Sequence, residues 1–115
     1  CVFIGVDLIK EAVGRPRPEG ALISVPGYSY PSGHSAHSVL YVWLAVTIAL
    51  RLRPDMARKM ALIGGAIVLV ALIGLSRVYL HVHYLSDVLG GWALGALCFA
   101  FFSVIALLAS QLRKD

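Results

Sequence analysis

The stretch VLGGWALGALCFAFFSVIALLASQ, from Val88 to Gln111, decides the fold of this chain. It contains no Asp, Glu, Lys or Arg, and as an α-helix it would be about 36 Å long. The hydrocarbon core of a bilayer is about 30 Å thick, so a helix of this length can cross it. Gly91 and Gly95 form a GxxxG pattern, which favours close packing against another helix. We therefore predict a transmembrane helix here.

Two further runs without charged residues, Ser35–Leu50 and Met60–Ser76, precede this stretch. As helices they would be only about 24–26 Å long, so each must borrow polar residues at its ends to span a bilayer. Buried helices of a soluble domain are the alternative for runs this short. The composition disfavours that alternative, because only 14% of the residues are charged against about 25% in soluble domains. The hydrophobic fraction of 59% is also too large for the interior of 115 residues to hide. The sequence predicts an all-α transmembrane helical bundle.

The N-terminal third has a different composition. Residues 1–13 are typical of the end of a helix, whereas residues 14–33 contain prolines and glycines that break regular helix and predict a polar loop. The length fits a single domain covering residues 1–115. The chain opens on Cys1 rather than Met, so we expect it to be the C-terminal part of a longer protein.

The formal net charge of +4 is concentrated at the ends of the apolar runs, in residues 51–59 and 113–114. Basic residues in these places are typical of membrane helices rather than of a nucleic-acid-binding surface, so no nucleic-acid partner is predicted. Three crossings put both clusters on one side, which the positive-inside rule makes cytoplasmic. Residues 14–33 and 77–87 then share the opposite, outer face.

Most of the remaining ionisable residues fall on that outer face, where their presence near a bilayer favours a functional role. The candidate site residues from three separate segments are Lys10, Arg17, Ser32, His34, Arg77, His83 and Asp87. Three cations, together with the amides at a helix N-terminus, are suited to binding a phosphoryl group.

The two histidines of this set suit different steps of phosphoryl transfer. His83 and Asp87 are four residues apart, so we expect the carboxylate to hold Nδ1–H of the ring and to leave Nε2 free as a nucleophile or base. His34 could then give a proton to a leaving oxygen. The set predicts phosphoryl transfer that needs no metal and no other cofactor.

These residues also carry a family resemblance. The spacings Lys10-x6-Arg17-Pro18, Pro31-Ser32-Gly33-His34 and Ser76-Arg77-x5-His83-x3-Asp87 resemble the three-part signature of the type-2 phosphatidic acid phosphatase superfamily. The resemblance implies the C-terminal part of a six-helix phosphatase core. It also implies that His34 is the general acid and that His83 is the nucleophile, paired with Asp87, that becomes phosphohistidine. The phosphate-binding residues that it implies are Lys10, Arg17, Ser32, Gly33 and Arg77.

The resemblance further implies a lipid phosphate or pyrophosphate as substrate, hydrolysed on the outer face of a bacterial inner membrane. Undecaprenyl pyrophosphate and phosphatidylglycerophosphate both fit, and the sequence leaves both open.

Two residues compete with those assigned above. Arg15-Pro16 is a second Arg–Pro pair, although only Arg17 has the six-residue gap from Lys10. His81 is a second candidate nucleophile, but on a helix it would point about 200° away from His83 and it lacks an acid four residues on. We interpret His37 as a packing residue or a weak substrate contact.

Two other functions use the same residues. Zinc accepts His and Asp ligands, so His34, His81, His83 and Asp87 are a possible ligand set, although the neighbouring cations would repel a divalent ion. A transporter half or an assembly subunit would leave the His83–Asp87 pair unexplained.

Overall fold

A computed structural model describes residues 1–113, so Lys114 of the predicted C-terminal basic cluster lies outside the described residues. The described part forms four helices, α1 (Val2–Val13), α2 (Gly33–Leu52), α3 (Met56–Tyr79) and α4 (Leu85–Leu112), and contains no strand. The last three are long and apolar enough to cross a membrane. The predicted all-α transmembrane bundle is therefore confirmed.

The helices α2 and α3 begin earlier than their uncharged runs, and a polar side chain caps each of them. The Ser32 hydroxyl accepts a hydrogen bond from the Ser35 amide at the start of α2. The Asp55 carboxylate accepts one of 2.9 Å from the Arg58 amide at the start of α3. Side-chain caps of this kind stabilise a helix by about 1 kcal/mol. These extensions supply the length that the two shorter runs lacked.

Small residues let α2 pack closely against α4. A Cβ added at Gly95 would lie 2.5 Å from the carbonyl oxygen of Ala36, and one added at Gly91 would collide with the carbonyl oxygen of Ser32. The packing predicted from the GxxxG pattern is therefore confirmed. Gly64 and Gly65 of α3 differ, since within residues 1–113 nothing lies within 4 Å of a Cβ built there.

The outer surfaces of the long helices are apolar. Large hydrophobic side chains such as Ile67, Leu72 and Leu107 are exposed, whereas the buried core includes small residues such as Ala36 and Ala45. A bilayer is as apolar as these side chains, so their exposure to lipid carries no penalty.

The two polar connections meet at one end of the bundle, as predicted. The Leu22 amide donates to the Leu80 carbonyl oxygen (3.0 Å), and the Ser32 amide donates to the Asp87 carbonyl oxygen (2.9 Å). The connection between α3 and α4 is a tight turn in which His81 has a φ of 55°. The helical geometry assumed for His81 is therefore wrong, because α4 begins only at Leu85.

Candidate active site

A cavity of about 760 Å³ opens at the end of the bundle where the polar connections meet. Six of the eight predicted site residues line it, namely Lys10, Arg17, Gly33, His34, Arg77 and His83. The other two, Ser32 and Asp87, are completely buried. The fold therefore brings residues from α1, the first loop, α2, α3 and the α3–α4 turn to one place.

The imidazole of His83 is held in a defined orientation. Its side chain is buried, and Nδ1 lies 2.8 Å from the carbonyl oxygen of Ser29. A carbonyl oxygen can only accept, so Nδ1 carries the proton and donates it to this bond. The other nitrogen, Nε2, lies 3.3 Å from Nη1 of Arg17, which can only donate. His83 is therefore a neutral ring whose Nε2 lone pair faces the guanidinium.

The partner of Nδ1 corrects the sequence-based expectation. The nearest carboxylate oxygen of Asp87 lies 3.6 Å from Nδ1, which is too far for a hydrogen bond. Ser29 takes the place that was expected for Asp87. The reason is that His83 lies before the first turn of α4, so the four-residue spacing does not follow helical geometry.

The surroundings of His83 also favour its neutral form. Burial lowers the pKa of His83 to about 4, and the charge of Arg17 acts in the same direction. The hydrogen bond to Ser29 and the charge of Asp87 oppose this change without cancelling it. A histidine with this pKa keeps its lone pair at pH 5 to 7, where an ordinary histidine would be partly protonated.

Backbone carbonyls hold the two cations of the N-terminal segment at the cavity. Arg17 donates to the carbonyl oxygens of Gly27 (3.0 Å), Pro26 (3.0 Å) and Val82 (2.9 Å). Lys10 donates to the carbonyl oxygen of Tyr28 at 2.9 Å. Burial lowers the pKa of Lys10, and the neighbouring charge of Arg17 lowers it further. An anion in the cavity would relieve this repulsion.

Two more groups present donors to the cavity. Arg77 lines it from the last turn of α3, and its Nε is buried with no hydrogen-bond partner among residues 1–113. Gly33 and His34 are the first residues of α2, where amides lack partners within the helix and attract anions. His34 itself is exposed. Cations and amides thus surround the space in front of His83.

The family model of the PAP2 superfamily matches residues 1–110. The chain belongs to the PAP2 superfamily. The predicted resemblance is therefore confirmed.

Two curated phosphatases are similar to this PAP2 chain. Phosphatidylglycerophosphatase B of Bacillus subtilis is 38% identical over 95 residues, which are 80% of the chain and 46% of that protein. A non-specific acid phosphatase of Salmonella typhi is 35% identical over 107 residues, which are 93% of the chain and 38% of that protein. The chain thus spans less than half the length of either relative.

A solved structure has the same fold. The crystal structure of a transmembrane PAP2 type phosphatidylglycerolphosphate phosphatase from Bacillus subtilis superposes with a TM-score of 0.82 at 34% sequence identity. The match covers 91% of this chain and 53% of the crystallised one. The chain is thus similar to an integral membrane protein over nearly its whole length.

Sequence reasoning missed the role of Arg15 in this PAP2 site. In the sequence, Arg15 is only a rival of Arg17, yet in the structure its Nη1 lies 2.7 Å from Oδ1 of Asp87. The other carboxylate oxygen of Asp87 accepts a 2.7 Å hydrogen bond from the Tyr84 amide. The two arginines therefore have separate partners, Arg17 beside His83 and Arg15 on Asp87. The sequence signal that could have indicated two separate roles was the Arg15-Pro16-Arg17 pattern.

The competing histidines take other positions. His81 is exposed and is not among the residues that line the cavity. His37 lines the cavity, but its Nδ1 is bonded to the Gly33 carbonyl oxygen (2.6 Å) and its ring lies against Phe3. Within the described residues, no group of three or more His, Cys, Asp or Glu side chains is arranged to hold a metal ion. The zinc alternative therefore lacks a ligand set in residues 1–113.

Proposed function

We propose that this chain carries the active site of a membrane phosphatase that hydrolyses a lipid phosphate or pyrophosphate through a phosphohistidine at His83. The observation that carries the proposal is the neutral, oriented ring of His83, whose Nε2 lies 3.3 Å from Arg17 in a cavity that Lys10 and Arg77 also line. A transporter half or an assembly subunit would have no use for a nucleophile placed against a phosphate-binding set.

In the first step, the phosphoryl group of the substrate binds among the three cations and the first amides of α2. Nε2 of His83 attacks phosphorus, and the bond from phosphorus to the leaving oxygen breaks. Lys10, Arg17 and Arg77 stabilise the charge on the non-bridging oxygens in the transition state. His34 gives its proton to the departing oxygen. The products of this step are a free alcohol, or a lipid monophosphate, and phosphohistidine.

In the second step, water attacks the phosphorus of the phosphohistidine. His34, now neutral, accepts a proton from the water, and the phosphorus–nitrogen bond breaks. This returns His83 to its neutral form and releases inorganic phosphate. The three cations supply the charge neutralisation that a metal ion provides in other phosphatases, so the proposed reaction needs no metal and no other cofactor.

Two observations support a lipid as the substrate. The cavity opens at the end of three helices that can cross a membrane. A second, apolar cavity of about 260 Å³ shares Phe3, His37 and Leu40 with it, so an acyl chain could continue from the phosphate site. The name of the Bacillus subtilis relative favours a phosphatidylglycerophosphate type of substrate over an isoprenoid pyrophosphate.

We place the site on the outer face of a bacterial cell membrane. The basic residues 51–59 join α2 to α3 at the opposite end of the bundle, which the positive-inside rule makes cytoplasmic. Single cysteines at positions 24 and 55, probed in intact cells with an impermeant thiol reagent, test this orientation. We expect labelling at position 24 and none at position 55, and the reverse pattern would overturn it.

The activity is tested by phosphate release from a panel of lipids with the full-length protein in detergent micelles. We expect release from phosphatidylglycerophosphate, with phosphatidic acid and undecaprenyl pyrophosphate as comparisons. His83→Ala should abolish release, whereas the matched His81→Ala variant should retain it, because His81 lies outside the cavity. Activity that survives His83→Ala, or an inactive wild type on every lipid, would refute the proposal.

A further inference from the structure

Arg15 occupies a position that phosphate binding does not explain. It is not among the residues that line the cavity, and its guanidinium instead bridges the Ser86 hydroxyl (2.7 Å) and Oδ1 of Asp87 (2.7 Å). The rings of Tyr30 and Tyr84 lie 5.0 Å and 5.9 Å from its Cζ. Such stacking fixes a guanidinium in place. Arg15 is therefore an anchored cation directed at a buried carboxylate.

Asp87, the carboxylate that Arg15 binds, also lies close to the ring of His83. Asp87 is completely buried, and its Oδ2 lies 3.6 Å from Nδ1 of His83. Nδ1 is instead bonded to the Ser29 carbonyl oxygen at 2.8 Å. A movement of less than 1 Å would bring Nδ1–H within hydrogen-bond distance of the carboxylate. A charged acceptor normally competes better than a neutral carbonyl, so the carboxylate must be restrained. The Tyr84 amide holds Oδ2 at 2.7 Å, and Arg15 holds Oδ1 and so fixes the rotation of the carboxylate.

We propose that Arg15 is a positioning residue that binds Asp87, keeps the Nδ1–H of His83 on the Ser29 carbonyl, and so holds the ring neutral with Nε2 directed at the cavity. Arg15 acts through Asp87 and does not touch the substrate. The role assigned to His83 rests on the proposed function, but the effect of Arg15 on the ring does not.

The electrostatics around His83 make the effect measurable. Arg17 from the first loop and Lys10 from α1 disfavour the charged ring, and Asp87 from α4 favours it. His34 of α2 and Arg77 of α3 line the same cavity. Removal of Arg15 takes away the ion pair of Asp87 and leaves only the Tyr84 amide bonded to its carboxylate, which would then compete with the Ser29 carbonyl for Nδ1–H. A carboxylate next to an imidazole favours the protonated ring.

The test is a titration of the histidine rings of the full-length protein by nitrogen-15 NMR, with His83→Asn used to assign the signal of His83. In Arg15→Met and in Arg15→Gln, we expect the pH at which His83 takes up its proton to rise by at least about one unit. The shift should disappear when either change is combined with Asp87→Asn, because no carboxylate is then released. Arg58→Met is the matched control, since it removes an arginine paired with the exposed Asp55 at the far end of the bundle.

The outcomes separate this inference from the proposed function. If the titration of His83 is the same in the wild type and in whichever Arg15 variant folds, or shifts equally in the Asp87→Asn background, Arg15 does not position the ring. If the shift is found but the wild type releases no phosphate from any lipid, the positioning role stands and the proposed function fails. In an active protein, the pH below which kcat/KM falls should rise together with the pH at which His83 takes up its proton.

Discussion

Acidification is the most direct perturbation of the proposed nucleophile. At pH 5.5, a histidine with the ordinary pKa of 6.5 would be about 10% neutral, whereas His83, with a pKa of about 4, is about 97% neutral. The difference in the reactive fraction is about tenfold. We therefore expect the loss of kcat/KM that follows protonation of His83 to begin only near pH 4 and to reach tenfold per unit below that pH, whereas protonation of the general acid His34 should raise kcat/KM as the pH falls from 7.

The assay is phosphate release measured between pH 3.5 and 7.5, with the ionisation of the substrate, titrated separately, divided out. Stability must be followed in parallel by tryptophan fluorescence. Folding lowers the pKa of His83, so the unfolded chain binds more protons between about pH 6.5 and 4, and the folded state loses stability as the pH falls through that window. His83→Asn should remove this part of the pH dependence of stability. An acid limb near pH 6.5 in a protein that remains folded would refute the argument that the site keeps His83 neutral.

The remaining predictions concern the two histidines, the absence of a metal, and helix packing. His83→Ala should be inactive on alkyl and aryl phosphates alike, whereas His34→Ala should lose about 10²–10⁴-fold on an alkyl phosphate and much less on an aryl phosphate, whose leaving oxygen needs little protonation. Equal losses on both substrates would contradict the role of His34. Exhaustive chelation should leave activity unchanged and vanadate should inhibit, because vanadate mimics the five-coordinate phosphorus bound to Nε2; activity lost with chelator and restored by zinc would favour a metal mechanism. Gly95→Ala should lower the melting temperature, because its Cβ would lie 2.5 Å from a backbone oxygen of α2, whereas the matched Gly65→Ala change meets nothing within 4 Å among the described residues and should not. Equal effects of the two glycine changes would argue against tight α2–α4 packing.

The sequence alone determined the fold class, and it predicted eight candidate site residues. Uncharged runs of bilayer length predict membrane helices whatever their neighbours are, because lipid selects for apolarity and length. The motif spacings indicated the cations and histidines as candidate site residues, because phosphoryl chemistry requires those residue types. Six of the eight candidate site residues do line one cavity. The close packing at Gly91 and Gly95 was likewise readable, because only small residues permit it.

The tertiary structure decided which hydrogen bonds and ion pairs the candidate site residues form. Nothing in the identity of Ser29 predicted that its backbone carbonyl would hold His83, because every residue carries the same carbonyl group. Arg15 and Asp87 are 72 positions apart, and only the folding of the first loop against the start of α4 brings them together. His83 lies in the turn before α4, which begins at Leu85, so the helical spacing on which the expected His83–Asp87 bond depended is absent. Such contacts arise from the path of the chain between helices, which local sequence patterns do not encode.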